Sequence, residues 1–348
     1  VETTYIVALK HLCYGELVEA KSKLDEVIRI ARSLNHKPVL VSGLAWRGLL
    51  HFFQTEYERA EEVATEAHQL ASELRDGFFL DQTFFVLGLT RGNLGRMSEA
   101  LVTLNEGIEM AQRNGDHFWF PRLPNCIGWI HRELQDFDHA LEYDQEGLDV
   151  GREHHVLEAE ANSLINLGID YTHTGKGEKT LSTFHEAEGI FERDAWFRWR
   201  YNLRLQAGTC EYWLSRGDLE QAGEYARRLL ENATLYEARK YIAVAHKLMA
   251  QVEIARGRPA EAKKQLDAAL DILHEFPAPL VAWRTYAALG RLHAQAGDEE
   301  AARDAFAESA AVVNSIALHV SNEELRTTFL NSTAVREVLN GAANRRAV

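Results

Sequence analysis

A spacing of forty residues governs this chain. Small residues recur at Ala20, Ala60, Ala100, Ala140, Thr180, Ala222, Ala262 and Ala302, in steps of 40 apart from one step of 42. Five residues before each stands Gly15, Thr55, Gly95, Gln135, Gly175, Gly217, Gly257 or Gly297. Seven residues earlier again stands Ala8, Gly48, Gly88, Gly128, Gly168, Cys210, Ala250 or Gly290. A sequence that repeats on this scale folds as a stack of similar units, each covering its neighbour's apolar face. Glycine at the middle register marks a helix end in the left-handed conformation. The small residues before it let two helices approach closely.

Between these anchors the apolar residues keep a helical period. Ala100, Leu101, Leu104, Ile108 and Ala111 share one face, and Ala20, Leu24, Val27, Ile28 and Ala31 repeat the pattern,. Each unit is therefore a pair of antiparallel helices. Pro259 suits the first turn of a second helix, while Pro38, Pro121, Pro124, Pro277 and Pro279 fall at joints or just after them,. No alternating strand pattern with hairpin chemistry occurs. The expected fold is all-α: eight helix pairs over residues 1–318, then a capping helix and tail over 319–348. Ser321 and Glu324 read as a capping box that opens this last helix, with Leu325, Phe329, Val335 and Leu339 laid over the final unit,.

Composition limits the partners. A formal charge of -14 lacks the basic footprint that nucleic acid or an anionic membrane needs,. The three cysteines, Cys13, Cys126 and Cys210, are widely spaced, which suits a reducing cytoplasm,. No run of eighteen apolar residues and no leader pattern is present. The chain starts at Val1 rather than Met, so it is expected to be a piece of a longer protein.

Little in the sequence carries reaction chemistry. There is no GxxxxGK[ST] loop, GxSxG elbow or HExxH helix, and Gly175-Lys176-Gly177 sits at a unit turn, where it reads as an ordinary connection,. Paired acids such as Glu61-Glu62 and Glu299-Glu300 suit the positive end of a second helix. His51, His131 and His293 share one register, three residues after the first small residue, and read as packed imidazoles with hydrogen-bonded tips,. His154 and His155 are adjacent and diverge on a helix. No catalytic residue, cofactor or metal site is expected.

The spacing inside the units resembles the tetratricopeptide (TPR) signature. Leu164, Leu167, Gly168 and Tyr171 with Thr180 and Phe184 follow W-x2-L-G-x2-Y…A-x3-F, as do Tyr286, Leu289, Gly290 and His293 with Ala302 and Phe306. The six residues beyond the common 34-residue form fall between one closing residue and the next first helix, about one extra turn shared by two helices. The segment Glu324, Leu325, Arg326, Phe329, Leu330, Ala334, Val335 and Arg336 also resembles the closing part of large bacterial signalling proteins with ATPase, cyclase, kinase or regulator modules. The TPR resemblance implies a right-handed superhelix with a concave groove lined by the first helices.

Mapped onto this chain, that groove begins with Tyr5, Leu12, Ala45, Leu49, Phe52 and Phe53, an apolar end. Its centre holds Gln82, Phe85, Arg122, Asn125, Trp129, Arg132, Asn162, Ile165, Ile169, Arg200 and Arg204. Arginines, amides and a tryptophan are what peptide recognition uses, although Arg122 or Arg204 can also pair with Glu158 or Glu211. The aromatic run Trp196, Phe197, Trp199 and Tyr201 beside the two-residue insertion reads as core at an irregular joint. Lys247 and Gln251 approach the first part of a chaperone-type carboxylate clamp, but Ala288 occupies the next required place. The resemblance implies a scaffold or regulatory arm for a protein or peptide segment, including a segment of the same protein. The alternative is a ligand sensor whose compaction controls a tethered output domain.

Overall fold

The computed structural model describes residues 2–193 and 196–343. It is all-helical, and the helices follow as pairs: α1 (Glu2–Tyr14) with α2 (Leu17–Ser33), α3 (Lys37–Phe53) with α4 (Tyr57–Leu74), and α5 (Gly77–Asn93) with α6 (Met97–Asn114). Next come α7 (Pro124–Glu133) with α8 (Phe137–Glu153), α9 (Leu157–His173) with α10 (Gly177–Arg193), and α11 (Arg198–Arg216) with α12 (Leu219–Leu235). The last pairs are α13 (Arg239–Ala255) with α14 (Pro259–Glu275) and α15 (Pro279–Gln295) with α16 (Glu299–Leu318). They are followed by α17 (Glu323–Asn331) and α18 (Thr333–Ala343). The helices gather into two compact units, one ending at Leu205 and one running on from Gln206, with the short turns 95–98 and 133–136 grouped with the second.

The left-handed turns fall where the repeat places them. The six turn-register glycines have φ between +72° and +82°, and Thr55 and Gln135 take the same region at +66° and +62°. A second series lies midway, at Asn35, Arg75, Gly115, His155 and Glu237, so a helix ends about every twenty residues and most helices reach 17 or 18 residues. The extra residues of the long repeat thus lengthen both helices of a pair.

Close packing at the first small register follows from missing side chains. A Cβ on Gly88 would lie 2.5 Å from Leu104 Cδ2, and one on Gly290 would lie 2.9 Å from the Phe306 ring. In the first unit Leu12, Leu24, Val27 and Ala31 are wholly buried; in the second, Ala250, Ala262, Leu266, Ala288 and Leu292 form one cluster. Each fully buried Leu contributes about 1.5–3 kcal/mol.

At several turns the residue of the histidine register meets a partner five residues further on. His51 Nδ1 lies 2.5 Å from Glu56, His11 pairs with Glu16 in the same way, and His293 Nδ1 is 3.9 Å from Asp298. Glu253 and Arg258 make the pair with reversed sign, at 3.0 Å.

The C-terminal cap consists of two helices rather than the expected one. Asn322, not Ser321, caps α17, accepting from Leu325 N at 3.0 Å. Ser332 is extended at ψ 148° and stops the helix, and its Oγ accepts from Val335 N at 3.4 Å to start α18. Leu325, Phe329 and Val335 are buried and Leu339 is half-buried. Residues 344–348 of the expected tail lie outside the described residues. Among the described residues no helix is long and apolar enough to cross a membrane.

Candidate functional site

The site arises where the repeat is irregular. After α6 ends, α7 starts only at Pro124, because Pro121 and Pro124 lack the N–H groups that a continuing helix needs,. A turn fills the gap: Asp116 Oδ1 accepts from Phe118 N at 2.6 Å and Trp119 N at 2.8 Å, and a short 3-10 turn spans Phe120–Arg122. The turn drives Trp119 inward, where its ring lies 5.4 Å from Phe85 and 5.8 Å from Trp46. Behind the turn Asp81 is wholly buried, and burial, reinforced by Asp116, pushes its carboxyl up to about 7.

The second irregularity is the 42-residue step. Phe197 takes φ +53° and stacks on Trp46 at 6.1 Å, while the Trp199 indole donates to the Leu12 carbonyl at 3.1 Å. Phe197, Trp199 and Tyr201 are buried, and Trp196 stays 41% exposed at the rim. The core reading of this aromatic run thus holds for three of its four members. Together with Leu49, Phe85, Phe118, Trp119, Arg122, Glu158 and Arg200, these joints line a cavity of about 10 Å³, room for a single water,.

Two arginines on its wall differ in their pairing. Arg122 donates through Nη2 and Nε to Glu158 Oε2 at 2.6 and 2.9 Å and lies 4.1 Å over the Phe118 ring. The Tyr201 hydroxyl donates to the other oxygen of Glu158. Arg200 is only 9% exposed, yet no carboxylate among the described residues lies within ion-pair distance of it. It rests over Phe53 at 5.0 Å and Tyr201 at 4.9 Å, and among the described residues its one hydrogen bond is to the Tyr201 hydroxyl at 3.4 Å. A guanidinium carries five N–H donors, so Arg200 has capacity for an incoming acceptor. The Trp119 indole N–H is likewise sealed from water without an acceptor among the described residues.

Beside the cavity runs a buried polar ladder. Arg132 donates to Asp170 at 2.9 Å, Asp144 at 3.2 Å and the Asn166 side chain at 3.0 Å. Asn166 donates to Asp144 at 2.6 Å and to the Asn125 carbonyl at 3.0 Å, and Asn162 donates to Asn125 Oδ1 at 2.6 Å. Arg204 donates to the side-chain oxygens of Asn162 and Asn166. Burial, and then the charge of Asp170, hold the Asp144 carboxyl well above the usual carboxylate range. The nearby Cys126 thiol donates to the Arg122 carbonyl at 3.1 Å, and burial pushes it up to about 12, so it is no nucleophile at neutral pH,.

The expectation of an open groove changes at this point. Phe85, Arg122 and Arg200 meet at the cavity, and Asn125, Arg132, Asn162 and Arg204 form the ladder. Gln82 and Ile165 are buried, with Gln82 Oε1 lacking a hydrogen-bond partner among the described residues, and Ile169 and Trp129 are half-buried. The Trp129 ring covers Gly92, whose added Cβ would meet it at 2.7 Å. As donors held out to solvent, Arg122, Arg132 and Arg204 are corrected: each is engaged with an internal carboxylate or amide.

Sequence reasoning missed Trp46, Phe118 and Trp119, whereas Glu158 was expected as a partner for Arg122 or Arg204 and pairs with Arg122. The paired prolines and the long step flagged both joints. Asp144 carried a further signal, since its register holds Leu24, Ala64, Leu104, Phe184, Ala226, Leu266 and Phe306 in the other units.

Comparison with known proteins agrees with this architecture. The mouse (Mus musculus) outer dynein arm-docking complex subunit 4 is 22% identical over 174 residues, 49% of this chain and 27% of its own length. The chain therefore spans only about a quarter of that relative. A Rap protein solved with competence and sporulation factor has a TM-score of 0.65 at 14% identity, covering 78% of this chain and 74% of its own. The Rap conjugation gene regulator of plasmid pLS20, solved with the Phr* peptide, gives 0.64 at 15% identity and covers 84% and 80%. The model of the MalT-like TPR region matches residues 38–268, well over half of the sequence. With helix pairs, left-handed turns and glycine contacts all at the registers of that repeat, the chain belongs to the MalT-like TPR family.

Proposed function

We propose that this chain is a non-catalytic binding arm that takes a peptide segment of a protein partner at the cavity between the two irregular joints. The observation that carries the reading is Arg200, a buried guanidinium without a carboxylate partner among the described residues, set among aromatic rings. A carboxylate of the peptide pairs with Arg200, and an apolar side chain lodges against Trp119, Phe197 and Trp196. The Phr* peptide bound in one similar Rap structure and the competence and sporulation factor bound in the other support this reading, as does the membership of the mouse relative in a docking complex. The arm belongs to a larger cytoplasmic, bacterial signalling or regulatory protein, on the strength of segment 324–336.

A second reading is favoured by the small size of the cavity. A peptide enters only if the walls part, so binding changes helix spacing, as a sensor controlling an output domain requires,. Selection of random nine-residue peptides against the whole chain tests the site. Acidic peptides whose binding weakens on changing the exposed rim residue Trp196→Ala are expected. Peptides without acidic preference, indifferent to that change, contradict the reading. Scattering with a selected peptide then separates sensor from scaffold, since only a sensor changes its radius of gyration appreciably.

A further inference from the structure

The fourth helix pair departs from its relatives at the turn between α7 and α8. In three other pairs a histidine near the end of the first helix meets an acid five residues later: His11 with Glu16, His51 with Glu56 and His293 with Asp298. His131 and Asp136 occupy the same two registers. Here alone another imidazole follows, His139, one turn into the second helix. The other pairs place Glu19, Arg59, Glu99, Lys179, Gln221, Glu261 and Ala301 at that position.

The three side chains converge. One donor atom from each of His131, Asp136 and His139 lies within 4.8 Å of the others, and the two imidazole rings are 5.3 Å apart at 35°. Tyr143 backs His131 at 5.4 Å with the rings nearly parallel, at 20°. His131 and Asp136 are half-buried and His139 is exposed, so the cluster opens to solvent.

We propose that this hairpin binds a divalent late transition metal of the zinc type through His131, Asp136 and His139, with water completing the coordination. Two imidazole nitrogens and one carboxylate oxygen are a donor set that such ions take, whereas calcium and magnesium demand oxygen. Metal–ligand bonds of about 2.0–2.2 Å set tetrahedral donors about 3.4 Å apart. Closing the cluster from its present spacing needs only side-chain torsions, chiefly of the exposed His139. The ion ties the end of the ten-residue α7 to the first turn of α8, within one hairpin.

Zinc titration of the whole chain, in competition with a chromophoric chelator, tests the site. One zinc per chain at micromolar affinity or tighter is expected. His139→Gln should weaken it at least tenfold, while His155→Gln, at an exposed histidine elsewhere, leaves it unchanged. Zinc should raise the melting temperature of the natural chain and not that of His139→Gln, whose metal-free melting matches the natural chain. Absence of zinc binding, or an equal effect of the two substitutions, overturns the proposal.

Discussion

Gly88 shows how much a single missing side chain decides. Its backbone faces Leu104 so closely that a Cβ would already lie 2.5 Å from Cδ2. Gly88→Leu must therefore push α5 from α6 and is expected to cost about 3 kcal/mol. Chemical denaturation checks this, and an unchanged midpoint would mean that the register is misassigned. Asp81 makes a second prediction at this scale. Its folded carboxyl is raised to about 7 against an ordinary value of 3.8, so the native state holds a proton that the unfolded chain releases,. The resulting stability is full below about pH 4 and is lost as pH rises through 7. The buried Asp144 pushes in the same direction. Denaturation at pH 5 and 7.5 should show the natural chain weaker at the higher pH, and Asp81→Asn should flatten that difference.

At the level of helices, the architecture was readable because each unit repeats the same physical problem. Turn, close approach and apolar face recur at fixed registers, and the left-handed residues at Thr55 and Gln135 show that position outweighs residue type. Arg75 is exposed and held at φ +53°, a conformation costly for any side chain,. Arg75→Gly is expected to raise stability by about 0.5–1 kcal/mol, read from the thermal or denaturant midpoint; a loss would show that Arg75 contributes contacts outweighing its strain. The candidate site was less legible, for the opposite reason. It is built where the repeat fails, by a turn that follows from Pro121 and Pro124 and by the insertion around Phe197. Periodicity could flag those joints but could not say that Trp119 and Phe197 both meet Trp46. It allowed the pairing of Arg122 with Glu158 but not that of Arg132 and Arg204 with Asp144, Asp170, Asn162 and Asn166, because those partners depend on which helices become neighbours.

For the molecule as a whole, the repeated residues build the frame and the unrepeated ones make the site. Three of the four arginines at the centre are engaged with internal carboxylates or amides, which leaves Arg200 as the one the proposed function assigns to a ligand. A peptide arm of this kind binds by replacing the Tyr201 hydroxyl, a weak neutral acceptor, with a charged one. The direct measurement is the affinity of a selected acidic peptide for the natural chain and for Arg200→Gln, with the helical content of both verified. The account expects at least a tenfold loss with Arg200→Gln and a similar loss when the acidic residue of the peptide is changed to its amide. Equal affinities for the two chains would contradict it.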